Sequence, residues 1–473
     1  TGTTIDLGGG TLNVNGGGSL AGDKLTLTNG GTLNFGAGAN ASADKPTATT
    51  ISGAVSTTKD KATNVNLSQN TKVTFSGDSL TLTTNTDTAL DKINLNGGTL
   101  EVKKLTADAT NLNTLGGGVI NFTESGTAQA KDTGSTITND FTISNGTAMN
   151  LGKNVYLTLG GADKSVTTKG SKITFADGTS TLNVSNLNAN ASDFDMSKGG
   201  KIVFADKSES QISGNVALGD KQSYAFSAAG TLNLESLSLT KTGNITFASK
   251  DSVLNLANGM TSDNAKEQIV LKDGGTINFN GGNSVIKGEQ FATTASKETL
   301  LNVNSGAGVS FESLDLKDKS SKLTLNGGFV NMGALTTTAA DSLDLKQGTL
   351  NFVGKANDKG EIETLASTIG ADLDLSKAGA QVNFNKGSLV KFTGTDGKLT
   401  ASSVNLNGGE INLKKLTAAK GEKFSGLANL NFAGANASVN GELSGTAAFS
   451  IGTDKDGNHF ITKATETASI GAG

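Results

Sequence analysis

Two aspartate pairs are the residues of this chain best suited to hold a metal ion. The phrases DFDMSKGG and DLDLSKAG carry one pair each, Asp193 with Asp195 and Asp372 with Asp374. On a β-strand, residues two apart point to the same face, so each pair would present two carboxylates together. Calcium prefers oxygen ligands, and the four aspartates are therefore a candidate calcium site. The alternative is a solvated face, with each pair balanced by the lysine that follows it.

Paired carboxylates also serve glycosidases and polysaccharide lyases, but the surroundings argue against such chemistry here. The chain has no Arg, no Trp and only 2 Tyr, so cationic partners and aromatic sugar platforms are scarce. His459 is the only histidine, and Cys is absent. The chain therefore lacks the residues for a Ser-His-Asp triad away from His459, for a Cys-His pair and for a typical zinc site, and we expect no enzymatic activity.

The phrase TDKDGN at 453–458 resembles the start of a calcium-binding EF-hand loop. Two later loop positions break the pattern, because His459 stands in place of the glycine and Thr465 in place of the bidentate glutamate. A hairpin turn is the better interpretation. No cofactor other than calcium is expected.

Composition excludes several classes of partner. The 473 residues include 63 Gly and 1 Pro, and the formal net charge is −4. Both signs of charge are interspersed, and without Arg the usual phosphate and guanine contacts are missing, so we expect no nucleic-acid binding. No apolar run is long enough to cross a bilayer as a helix, so we expect no membrane span.

A recurring ten-residue phrase indicates which elements must position these side chains. INLNGGTLEV at 93–102 returns as LTLNGGFVNM at 323–332 and as VNLNGGEINL at 404–413. Each half alternates apolar and polar residues, which is typical of a short strand with one buried face. Asn and Gly tolerate left-handed backbone angles, so Asn-Gly-Gly predicts a sharp corner between the halves.

The spacing of the phrases favours stacked coils. Leu7 and Leu27 lie 20 residues apart, as do Leu325 and Leu345, while Leu12 and Leu33 lie 21 apart. Such a period predicts an all-β, elongated β-solenoid, a parallel β-helix with short strands and Asn/Gly corners. We expect about 20–24 residues per coil and roughly 20 coils. The alternative is a series of antiparallel hairpins packed as a sandwich, because Asn-Gly is also a hairpin signal.

The solenoid is expected to extend over residues 1–445. Polar stretches predict loop excursions near 40–64 and 123–136, and residues 446–473 read as a C-terminal hairpin with a polar tail. Several phenylalanines fall in inward phase at strand ends and are predicted to stack in the core: Phe35, Phe204, Phe279, Phe352 and Phe384.

With phrases such as LTLTNGGTLNF at 25–35, the chain resembles the β-helical passenger regions of autotransporter adhesins and filamentous-haemagglutinin-like bacterial surface proteins. The resemblance implies a non-enzymatic structural or adhesive rod, extracellular at the bacterial surface. Its expected partners are other copies of itself or surface glycans and proteins. The composition is also similar to that of S-layer proteins, which leaves a self-assembling S-layer or filament subunit as the alternative. Ice binding through Thr-x-Thr arrays, as in LTLTTNT at 80–86, is a third hypothesis.

Overall fold

The computed structural model of the chain is almost entirely β-structure. It describes residues 3–21, 24–52, 54–57, 61–82, 92–168, 170–263, 265–294, 296–316, 320–371, 373–375, 380–394, 398–401, 404–418, 430–432, 438–444 and 450–451. The chain divides into two compact units, Thr1–Asn233 and Leu234–Gly473. Strands in both units pair in parallel from one coil to the next, so the predicted β-solenoid is confirmed and the antiparallel sandwich is wrong.

In the first unit, the strands from β1 to β24 follow one another in repeating groups of three. The first strand of each group belongs to one parallel sheet and the third to another, whereas the second belongs to a five-stranded sheet from β2 to β14 and to the 23-stranded sheet from β17 onward. Two 3₁₀ turns, Ala109–Asn111 and Ala191–Asp193, interrupt the strands. The strands are β1 Thr3–Asp6, β2 Thr11–Asn15, β3 Gly18–Leu20, β4 Lys24–Thr28, β5 Gly31–Gly36, β6 Thr47–Ile51, β7 Ala54–Thr57, β8 Thr63–Leu67, β9 Thr71–Phe75, β10 Leu80–Thr81, β11 Lys92–Asn94, β12 Thr99–Val102, β13 Leu105–Asp108, β14 Leu112–Asn113, β15 Gly118–Phe122, β16 Ser135–Thr138, β17 Phe141–Ile143, β18 Thr147–Leu151, β19 Tyr156–Leu159, β20 Ser165–Thr168, β21 Lys172–Phe175, β22 Thr181–Val184, β23 Asn186–Asn190, β24 Phe194–Asp195, β25 Gly200–Phe204, β26 Ser208–Leu218 and β27 Gln222–Phe226.

The second unit contains longer strands, and most of its strands belong to the 23-stranded sheet. A 3₁₀ turn, Ala340–Ser342, precedes β39. The strands are β28 Gly230–Leu239, which begins before the boundary, β29 Asn244–Thr246, β30 Ser252–Leu256, β31 Met260–Ser262, β32 Ile269–Leu271, β33 Gly275–Phe279, β34 Gly282–Ile286, β35 Phe291–Thr293, β36 Thr299–Asn304, β37 Ala307–Leu316, β38 Ser321–Thr337, β39 Leu343–Phe352, β40 Lys355–Ala356, β41 Ile362–Glu363, β42 Leu365–Ile369, β43 Leu373–Leu375, β44 Ala380–Asn385, β45 Ser388–Phe392, β46 Lys398–Ala401, β47 Val404–Asn407, β48 Glu410–Ala418, β49 Leu430–Phe432, β50 Ser438–Ser444 and β51 Ser450–Ile451.

The core consists of inward side chains that stack from coil to coil. In the second unit, one such column contains Phe311, Met332, Phe352 and Phe384 in successive coils, and the rings of Phe352 and Phe384 stack with their centroids 5.3 Å apart. The five phenylalanines predicted to face inward are each at most 1 % exposed, so that prediction is confirmed. Interdigitated apolar columns of this kind supply most of the stabilisation in a parallel sheet buried on one face.

The Asn-Gly-Gly corner forms as predicted at 96–98. Asn96 and Gly97 adopt positive φ angles of 44° and 79°, and the N–H of Gly98 donates to the carbonyl of Leu95 at 2.7 Å. A Cβ on Gly98 would lie 2.7 Å from the Cβ of Leu67 in the preceding coil. The corner therefore needs glycine both for its backbone angles and for the close stacking of coils.

The same phrase at 323–332 takes a different form. Asn326, Gly327 and Gly328 lie inside the continuous strand β38, where Asn304 of the preceding coil pairs with both Asn326 and Gly327. This register shift is a β-bulge, and Gly327 absorbs it with a φ of 104°. One sequence thus bends the chain in two ways, because glycine permits both the turn and the bulge.

Coil lengths vary more than the period predicts. The described register confirms the pairs Leu12–Leu33 and Leu325–Leu345, but Leu27 pairs with Ile5 and not with Leu7. The solenoid has about 15 turns, fewer than expected. The expected number was wrong because many coils carry additional connecting residues that do not enter the stacked strands.

Connecting segments account for part of that length. Residues 37–46 join β5 to β6, and residues 123–134 join β15 to β16. Within the expected 40–64 excursion, however, β6 and β7 belong to the sheets. Of the expected C-terminal hairpin at 446–473, only Ser450–Ile451 is described, as a parallel strand paired with β49.

Candidate functional site

A ladder of asparagines runs along the outer face of β2, β5, β8, β11 and β14. Each Nδ2 donates to the Oδ1 of the asparagine in the preceding coil, at 2.8, 2.8, 2.6 and 2.8 Å. The members alternate with apolar residues, which are buried in β5, β8, β11 and β14, so the pleat places the asparagines outward. We refer to this row as the asparagine ladder; its members are Asn13, Asn34, Asn66, Asn94 and Asn113.

The asparagine ladder keeps its register although the coils differ in length. Its successive members lie 21, 32, 28 and 19 residues apart in the sequence. It ends at Asn113, whose Oδ1 accepts the backbone N–H of Leu115 at 3.1 Å. Leu115 itself is 83 % exposed at that corner.

Shorter asparagine rows occur in the second unit. In each of them the later coil donates to the earlier one, at distances between 2.6 and 3.1 Å. Bonded amides hold each other in one rotamer, so these outer faces present a fixed array of donors and acceptors. The rows are Asn255–Asn278–Asn302, Asn280–Asn304–Asn326, Asn331–Asn351–Asn383 and Asn385–Asn407.

The structure places the first predicted aspartate pair in two different environments. Asp193 closes a 3₁₀ turn, is 4 % exposed, and accepts hydrogen bonds from the Thr168 hydroxyl and the Asn190 N–H. Asp195 is half-buried on β24. Hydrogen bonds from Ser197, aided by the charges of Lys172 and Lys198, hold its pKa below the ordinary value. The two carboxylates therefore do not share an outward strand face, which corrects the arrangement expected from their spacing.

The second pair is only partly described. Asp372 lies outside the described residues, and of Asp374 the structure gives the backbone, which pairs with Thr400. His459, the TDKDGN phrase and residues 83–86 of the Thr-x-Thr stretch also lie outside them. In the part of the chain that is described, no three His, Cys, Asp or Glu side chains come together. Calcium binding stays a prediction.

A reciprocal capping motif explains why Asp193 is buried. In the first unit, Asp108 and Asn111 cap the turn in DATN at 108–111, because each side chain accepts a hydrogen bond from the backbone N–H of the other residue. Asn190 and Asp193 do the same in NASD with the two residue types exchanged. Each turn has Asp or Asn at two positions three residues apart, followed directly by Leu-Asn or Phe-Asp. This pattern is the signal by which the sequence could have revealed the turns.

Asp108 shows the electrostatic effect of this motif. Burial opposes its charge, but hydrogen bonds from Thr110, Asn139 and Thr138 outweigh burial and hold its pKa below the ordinary value. The carboxylate therefore stays charged while it fixes the turn, and it has no role that requires proton exchange near neutral pH.

A cleft of about 560 Å³ opens in the second unit. Its lining combines apolar side chains from β34, β37 and β42 with the ion pair between Lys355 and Glu312. Hydrogen bonds from Lys355 and from the Gly288 N–H keep the pKa of Glu312 below its ordinary value. Nothing in the sequence pattern indicated this cleft.

Comparison with known proteins does not indicate a function for this chain. No protein-family model, curated protein or solved structure matches this chain. None of the helical segments that the structure describes has the length and apolar character needed to cross a membrane.

Proposed function

We propose that this chain is a non-enzymatic structural or adhesive rod of the bacterial surface, which binds through its outer polar faces. The observation that carries the proposal is the asparagine ladder, which continues unbroken over five coils. Its side chains are already ordered by each other, so a partner would bind without the entropy cost of immobilising them.

The chemistry of the ladders favours extended partners. Strands in a sheet lie about 4.8 Å apart, so each ladder offers amide groups at a regular spacing along the coil axis. A glycan chain or an extended protein segment can meet several such groups in succession. Other copies of the same chain offer the same faces and are the remaining partner class.

Negative-stain electron microscopy of the purified chain tests this proposal. Isolated rods over a range of protein concentrations support the adhesive or stalk function. Ordered sheets or fibres support the alternative, a self-assembling S-layer or filament subunit. Compact globular particles contradict both.

A binding measurement then tests the ladder itself. Beads coated with the chain should bind surface glycans or matrix proteins, and Asn66→Lys should weaken that binding because it breaks the ladder at its centre. The matched control is Asn64→Lys, on the same outward face of β8 but between Thr32 and Lys92 in register. Equal binding by both variants would contradict a role for the ladder.

A further inference from the structure

The cleft of the second unit has a continuous apolar wall. Ile286 and Phe311 close it from the core side and are at most 2 % exposed, whereas Val285 is 42 % exposed. Val353 and Leu365 complete the wall. A volume of about 560 Å³ falls within the range of small-molecule sites in proteins.

One additional segment of chain builds this cleft. Asn331 and Asn351 of neighbouring coils lie 20 residues apart, but the next step of that row, from Asn351 to Asn383, takes 32. The additional residues include β40 and β41, the one antiparallel strand pair among the described residues. The turn between these strands is fixed by the Asn357 side chain, which accepts the N–H groups of Lys359 and Glu361.

Gly333 keeps the floor of the cleft open. A Cβ at this position would lie 2.9 Å from Cδ1 of Leu365 and 2.4 Å from the Glu312 carbonyl oxygen. Leu365 therefore packs directly over the backbone of β38. The cleft is a formed feature of the folded chain, held by the hairpin on one side and by glycine beneath.

The two lysines at the rim of the cleft differ in their ion pairs. The Lys355 ammonium is paired with Glu312, and the nearby carboxylates of Glu363 and Asp358 act on it as well. Lys287, which also lines the cleft, forms no salt bridge in the part of the chain that the structure describes, and its charge acts on Glu312 and Asp263 at longer range. Lys287 is therefore the cation at the rim that is placed to meet an incoming anion.

We propose that this cleft binds a small molecule with an apolar tail and a single carboxylate, of the size of a medium-chain fatty acid. The tail lies against Val285, Val353 and Leu365, and the carboxylate meets the Lys287 ammonium. This inference does not depend on the proposed surface function, because it concerns a different class of ligand.

Isothermal titration calorimetry of the full chain with decanoate and with decanol tests the proposal. Decanoate should bind at least about tenfold more tightly than decanol, because a charged hydrogen bond to Lys287 adds to the same apolar burial. Absence of decanoate binding overturns the site. Equal affinities for the two probes overturn the assignment of a carboxylate.

Three variants separate the two parts of the site. Lys287→Gln should lower decanoate affinity to the level of decanol and leave decanol binding unchanged. Leu365→Gln should weaken both probes about tenfold or more by removing apolar contact. The matched control, Phe329→Gln, changes an apolar residue of the same unit that is 42 % exposed and does not line the cleft.

The control should bind both probes as the unaltered chain does, and far-UV circular dichroism should show the same β-structure in all variants. If Phe329→Gln weakens binding as much as Leu365→Gln, the probes bind to exposed apolar surface in general and the proposal fails. A Lys287→Gln variant with unchanged preference for decanoate likewise overturns it.

Discussion

Replacing Asn66 by Ala should destabilise the centre of the asparagine ladder. The Asn66 side chain donates to Asn34 at 2.8 Å and accepts from Asn94 at 2.6 Å, so the substitution removes two hydrogen bonds. Each net contribution is about 0.5–1.5 kcal/mol. The groups left behind are only half-buried and can bond to water, so the expected loss is about 1–2 kcal/mol in total.

Native-state hydrogen exchange is the appropriate assay. A solenoid unfolds in parts, because each coil contacts mainly its neighbours, and one global transition does not report on one coil. The free energy of local opening should fall in β5, β8 and β11 for Asn66→Ala. Asn64→Ala, on the same strand but outside the ladder, should change it much less.

A double-mutant cycle makes the reasoning stricter. Asn66→Ala and Asn94→Ala share one hydrogen bond, so the double variant should lose about 0.5–1 kcal/mol less than the sum of the single variants. Asn13→Ala and Asn113→Ala share neither a hydrogen bond nor a partner and should add within about 0.5 kcal/mol. Strict additivity for the bonded pair, or an equal loss in Asn64→Ala, would refute the idea that the ladder acts as a connected unit.

Three further predictions concern other contacts. Phe352→Ala should lower the local opening free energy around β39 and β44 by about 3–5 kcal/mol, since the ring is fully buried and stacked on Phe384; exchange rates unchanged there would contradict this. Asp193→Ala should destabilise its 3₁₀ turn by about 1–2 kcal/mol with or without added calcium, as read from native-state hydrogen exchange in the neighbouring strands; a calcium-dependent loss would instead support the predicted metal site. The folded-state pKa of Glu312 lies below its ordinary value of 4.5, so its pairing with Lys355 stabilises the fold above that pH and the effect is lost as pH falls through the folded pKa. The free energy of unfolding of Glu312→Gln should therefore fall less at acid pH than that of the unaltered chain. Identical profiles of stability against pH for the two chains would contradict a stabilising role for this ion pair.

The sequence predicted which residues stack between coils better than it predicted the path of the backbone within a coil. Repeated phrases placed Leu12 over Leu33 and Leu325 over Leu345, because an inward aliphatic must meet an equivalent residue in the next coil. The phrases could not distinguish a turn at Asn96 from a bulge at Asn326. That outcome depends on whether the flanking strands continue in one sheet, which is a property of the neighbouring coils.

Candidate sites were harder to predict for a related reason. The spacing of Asp193 and Asp195 indicated a shared strand face, but a local hydrogen-bonded cap was preferred to a strand. The cleft was not predictable, because it joins residues near 286 and 311 to the hairpin at 355–363. Only the folded coils bring these distant segments together.

The unequal spacing within the asparagine ladder has a consequence for how such a chain can change in evolution. Steps of 19 to 32 residues produce the same contact between neighbouring amides. Doubling the length of a loop costs only about 0.6 kcal/mol in closure entropy. New segments can thus be inserted between strands while the stacked strands stay in place. Every corner is therefore a position where a new surface can be added with little loss of stability in the coils.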